Sequence, residues 1–207
     1  MSRTLILVDI QNDFCPEGAL AVPKGNEVIP VANRLLETKG VFDLIIATQD
    51  WHPADHLSFA SQHAGSIGDV IELGGFTQVL WPDHCVQNTM GAELTPGLKK
   101  DRIDRIIYKG IHREIDSYSC FFENDHKTAT GLEDFLRLKG VTTVFIMGLA
   151  TDYCVKYSVL DALELNMETV VIQDGCRGVE LNPGDVKQAE MEMRQKGARF
   201  CGSHELI

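Results

Sequence analysis

The sequence predicts a doubly wound α/β domain: a mostly parallel sheet of about six strands with helices on both faces. Three features predict it. Short apolar runs occur without polar alternation, as in strands covered on both faces. Stretches of helical period lie between these runs, several stopped by a glycine. Residues able to do chemistry follow the runs directly, at the carboxyl ends of strands where sites of such sheets lie.

The first run is residues 4–8 (TLILV), and residues 43–48 (DLIIAT) form the second. Residues 105–108 (RIIY), 143–147 (TVFIM), 169–172 (TVVI) and 198–201 follow. Between them, residues 26–38 carry Val28, Val31, Ala32, Leu35 and Leu36 on one face, with Gly40 as a stop. Residues 132–139 precede Gly140, and residues 183–196 precede Gly197. Residues 152–165 place Val155, Val159, Ala162 and Leu163 on one stripe. Residues 50–96 depart from the pattern: they show little periodicity, yet hold both tryptophans and four of the seven histidines. Irregular stretches of that length are usually functional or disordered, and this content favours an ordered, functional loop region. Residues 1–207 are expected to form a single domain.

Composition narrows the function classes. With 44% hydrophobic and 24% charged residues, the 207-residue chain has an ordinary globular balance. Its formal net charge of -11 disfavours nucleic acid and anionic membrane as partners. The opening apolar run ends at Asp9, too early for a secretion signal, and no stretch approaches a membrane span. The six cysteines, at 15, 85, 120, 154, 176 and 201, contain no Cys-x-x-Cys pair. They read as free thiols of a cytoplasmic protein. P-loop, Gly-x-Gly-x-x-Gly and Gly-x-Ser-x-Gly signatures are absent.

Several residues can carry chemistry. Cys154, in GLATDYCV at 148–155, falls in the first turn of a helix entered from a buried strand. Thr151 is the expected N-cap. Free N–H groups and the helix dipole there favour a thiolate and can hold an oxyanion. A buried structural cysteine fits that position equally well. Asp9 ends the first strand, as a general base or a turn residue. Lys109 ends another, where it can steady an anion or simply be solvated. Asp50 and His52 point to one side of extended backbone. With His84 they make a set that suits zinc, iron(II) or manganese, and His56 is a further candidate ligand. Phe14, Trp81 and Tyr118 can wall a flat ring, or can be ordinary packing.

Taken together, VDIQNDF at 8–14, QDWHPADH at 49–56, WPDHCVQ at 81–87, the Lys109–Gly110 turn, DSYSCFF at 116–122, GLATDYCV and DGCRGV at 174–179 resemble the nicotinamidase branch of the isochorismatase-like cysteine hydrolases. The resemblance runs in order through nearly the whole chain. It implies a Rossmann-like three-layer sandwich and a triad of Asp9, Lys109 and Cys154. It implies one divalent metal, zinc before iron or manganese, held by Asp50, His52 and His84. His56 departs from the spacing of the extra histidine used by some members. The resemblance also implies a cis peptide before Ala150 and an oxyanion hole from the Ala150 and Cys154 N–H groups. The implied activity is hydrolysis of nicotinamide, a small-molecule substrate, through a thioester. A sibling amidase acting on an N-carbamoyl or ureido compound is the nearest rival reading. A non-haem iron oxygenase using Asp50, His52 and His84 is the rival from another class. Cys120 and Cys176 receive no role from sequence.

Overall fold

A computed structural model describes residues 2–207. The strands in chain order are β1 (Ser2–Val8), β2 (Leu44–Asp50), β3 (Val70–Leu73), β4 (Phe76–Val79), β5 (Arg105–Lys109), β6 (Val141–Leu149), β7 (Glu168–Arg177) and β8 (Arg199–Cys201). Six form one sheet in the order β5-β2-β1-β6-β7-β8, with every pair parallel. The fold class is the one expected. Chain order reverses direction between β1 and β6, and such a switch point opens a crevice at the strands' carboxyl ends.

The helices are α1 (Val28–Glu37), α2 (Leu132–Leu138), α3 (Lys156–Glu164) and α4 (Asp185–Lys196). With the right-handed crossovers that parallel strands favour, this strand order puts α1 on one face and the other three helices on the opposite face. Burial agrees with two covered faces: all of β2 is buried, and Leu5, Ile6, Leu7 and Val8 of β1 have no exposure. The predicted stripe of α1, from Val28 to Leu36, is the buried one. Gly197 ends α4 at φ +111°, a conformation that favours a residue without Cβ.

Three details differ from the sequence reading. First, β7 continues well past residue 172. A register shift between Ile146 and Gly148 lets Gly148 pair with Cys176 and Leu149 with Arg177. The apolar run marks only the fully buried half of that strand, because backbone pairing does not depend on side-chain polarity. Second, residues 50–96 contain regular structure: β3 and β4 form an antiparallel hairpin around Gly74 and Gly75, both at positive φ. Its half-exposed, four-residue strands are too short to announce themselves by pattern. Third, Thr151 is not the cap of the helix after β6. Ala150 holds that position without a side-chain bond, and a single π-helical turn, Thr151–Val155, leads into α3. The Leu149–Ala150 peptide is cis, as the resemblance implied. No helix among the described residues is long and apolar enough to cross a membrane.

Candidate active site

The site gathers where four neighbouring strands end. β2 ends on Asp50 and β5 on Lys109, which face each other in register. Val8 of β1 pairs with Gly148 of β6, so Asp9 and the turn bearing Cys154 lie across one strand spacing. Sheet register therefore brings Asp9, Asp50, Lys109 and Cys154 together. Asp9 itself turns off the sheet at φ +49°.

Lys109 is the hub. Its buried ammonium lies 3.0 Å from Asp9 Oδ2 and 3.5 Å from Cys154 Sγ, and donates to the Ser117 carbonyl at 2.8 Å. It also pairs with Asp50 Oδ1. Both carboxylates raise its pKa well above the usual value, against the opposing effect of burial. Asp9 Oδ1 accepts the Thr48 hydroxyl at 2.5 Å. Asp9 Oδ2 has no aligned hydrogen-bond donor, although Lys109 is close. Burial is the main force lifting the Asp9 carboxyl to about 6; Lys109 pulls it down and Asp50 pushes it up.

Burial pushes the Cys154 thiol well above the usual range. Lys109 opposes this, while the Asp9 and Asp50 charges add to it. The sulfur thus sits between an ammonium that favours the thiolate and a carboxylate placed to take its proton.

Asp50, His52 and His84 also converge. Their nearest donor atoms all lie within 4.8 Å of one another, with Asp50 Oδ2 3.7 Å from His52 Nε2 and 3.9 Å from His84 Nε2. A carbonyl only accepts, so the Gly110 oxygen at 2.9 Å fixes a proton on His52 Nδ1. The Pro82 oxygen at 2.7 Å does the same for His84 Nδ1. Both Nε2 lone pairs are thereby left open, and His52 Nε2 is buried without any partner. Burial is the main force lowering His84 to about 4. These residues fit a divalent cation of borderline softness, and backbone-anchored imidazoles are usual around such ions. Gly110 is required here: at φ +62°, a Cβ would stand 2.4 Å from His52 Cε1.

His56, the further candidate ligand, converges with His52 and Asp116 and not with Asp50 and His84. Its Nδ1 accepts from Ser58 Oγ at 2.7 Å and its Nε2 donates to the Ile115 carbonyl at 3.2 Å, so neither nitrogen is open. It stacks on His52 at 4.4 Å, a packing role. The aromatics do line the cleft, which has a volume of about 360 Å³ and includes Phe14, Trp81, Tyr118, Ala150 and Cys154. Trp81 Nε1 donates to the Tyr118 hydroxyl at 3.1 Å, locking the two rings together. Cys120 and Cys176 are buried thiols outside the cleft, both pushed up to about 12 by burial.

Sequence reasoning missed several lining residues: Leu20, Asp116, Tyr153 and Val179. Tyr153 adjoins Cys154, and its ring meets Trp81 edge-on at 4.9 Å. It also missed Gln11, whose amide donates to the Asp50 carbonyl and accepts from the Asp50 N–H. That clamp holds the aspartate's backbone. The VDIQNDF segment contained the signal, since a buried glutamine requires partners.

Known proteins resemble this arrangement over their full lengths. Nicotinamidase of Escherichia coli is 51% identical over 199 residues, covering 95% of this chain and 92% of that protein. A nicotinamidase/pyrazinamidase structure from Acinetobacter baumanii superposes with a TM-score of 0.95 at 44% identity, covering 100% of this chain and 98% of the other. A pyrazinamidase of Pyrococcus horikoshii in complex with zinc superposes with a TM-score of 0.78 at 38% identity, covering 98% and 99%. The isochorismatase domain family matches residues 3–205, and the chain belongs to that family.

Proposed function

We propose that the chain is a cytoplasmic, metal-containing cysteine amidohydrolase that converts nicotinamide and water to nicotinate and ammonia, for salvage into pyridine nucleotides. Pyrazinamide, which keeps the same carboxamide on a flat heteroaromatic ring, is a second substrate. One observation carries the reading: a thiol, a carboxylate and an ammonium meet beside a cleft that also holds an imidazole–carboxylate set. The E. coli and A. baumanii relatives support this choice of substrate.

In this reading Asp9 takes the thiol proton, and Lys109 steadies the sulfur anion. Sulfur attacks the carboxamide carbon while the Ala150 and Cys154 N–H groups receive the oxyanion. The proton on Asp9 then passes to nitrogen, the C–N bond breaks, and ammonia leaves a thioester. Asp9 next takes a proton from water, which attacks the thioester carbon; cleavage of the C–S bond returns that proton to sulfur and releases nicotinate. Asp50, His52 and His84 would hold a divalent cation, which would supply Lewis-acid chemistry for orienting the ring. Trp81, Tyr118 and Phe14 flank the ring.

Two measurements test this directly. Chelation should lower kcat/KM for nicotinamide by about 10²-fold or more, and added zinc or manganese should restore it. The rate should be equal in air and under nitrogen; a requirement for oxygen would replace the amidase with an oxygenase. The acid limb gives a third test. A base lifted to about 6 is protonated below that pH. Hence kcat/KM should fall roughly tenfold per unit on the acid side, and an acid limb near the ordinary carboxylate range would remove Asp9 from the role of base.

A further inference from the structure

Asp152 lies two residues before Cys154 in the same turn and is 5% exposed. Its Oδ1 accepts the Val179 N–H at 2.9 Å and its Oδ2 accepts the Glu180 N–H at 2.7 Å. The chain just before these residues is confined as well. A Cβ on Gly178 would stand 2.1 Å from Val186 Cγ2 and 3.0 Å from Asp152 Oδ1. Glu180 adopts φ +55°, and its carboxylate accepts the Gly184 N–H at 2.7 Å, tying the segment to the start of α4. Val179, held between these anchors, lines the cleft with Cys154. The next residue, Tyr153, joins the aromatic side through Trp81 and Tyr118. The nucleophile's turn is thus the junction of two walls: Tyr153 grips the aromatic one and Asp152 the aliphatic one.

We infer that Asp152 is a positioning residue whose carboxylate pins Val179 as a fixed wall, and that this wall restricts the site to carboxamides of a single small ring. The inference rests on the amidase reading above. An acceptor at each oxygen is needed to hold two successive N–H groups. Asparagine offers one acceptor and turns an N–H donor toward the other. The wall then loosens without any change to Asp9, Lys109 or Cys154. Val179→Ala recesses the same wall without touching the clamp.

The test compares wild type, Asp152→Asn and Val179→Ala by two readouts. The first is the kcat/KM of quinoline-3-carboxamide relative to nicotinamide. The second needs no turnover: the rate of Cys154 alkylation by N-(1-naphthyl)iodoacetamide relative to iodoacetamide, followed by peptide mass. Both ratios should rise about tenfold in each variant, the discrimination usual for an apolar pocket contact. In Asp152→Asn the KM for nicotinamide should also rise more than kcat falls, as expected for lost ground-state binding. A purely structural aspartate would lower the melting temperature and leave both size ratios alone. If Asp152→Asn does not fold, Asp152→Glu keeps the charge and displaces the acceptors by one methylene. Ratios within about twofold of wild type in the folded variants overturn the inference. A wild type that releases no ammonia from nicotinamide, with alkylation ratios that still shift, overturns the amidase reading and leaves the wall in place.

Discussion

Replacing Cys154 with alanine is expected to slow ammonia release from nicotinamide by about 10⁴–10⁶-fold, with melting temperature nearly unchanged. Sulfur is the atom that forms and releases the acyl bond in the proposed mechanism, and the cleft lining offers no second thiol. The fold should tolerate the change, because it removes a single buried sulfur beside two carboxylates that raise its pKa. Ammonia should be followed in a coupled assay with the variant's circular dichroism as control. Residual turnover above about 1% of wild type would point instead to attack by water and would remove sulfur from the mechanism.

Replacing Lys109 with methionine should damage stability and activity together. The ammonium is fully buried and faces Asp9 and Asp50. Removing one partner of a buried ion cluster costs about 3–5 kcal/mol, since the remaining charges lose their counter-ion. In a domain of this size that lowers the melting temperature by about 6–20 °C. The pH dependence gives the cause. Without Lys109, burial holds the Asp9 carboxyl further above its unfolded value, so the folded state binds a proton that the unfolded state does not. Stability of the variant relative to wild type should therefore recover as pH falls. A cation at Asp50 would offset one carboxylate, so the deficit should be larger after chelation than before it. A variant melting within about 2 °C of wild type at neutral pH would mean that the cluster is not electrostatically strained.

The elements of this site were legible to different degrees, for physical reasons. Asp9, Asp50 and Lys109 stood out because buried parallel strands are apolar runs, and a charged residue at the end of one is conspicuous. What joins them was not legible: the Asp50–Lys109 pairing depends on β5 lying beside β2, a matter of strand order. The His52 and His84 tautomers depend on the Gly110 and Pro82 carbonyls, which any residue could provide. The surroundings of His56 were equally hidden. It belongs to the same motif as His52, yet its partners Ser58 and Ile115 satisfy both nitrogens, and Ile115 lies far along the chain. The helix start at Cys154 was visible in the sequence, whereas the burial that dominates its thiol and the carboxylates around it depend on the tertiary fold.

The position of Lys109 on an outer strand has a further consequence. β5 forms one edge of the main sheet, and β2 is its only partner strand there. Loss of that pairing would carry the ammonium away from Asp9 and Cys154 while β1 and β6 stayed joined. The charge balance at the centre of the cleft therefore rests on a strand at the rim of the sheet.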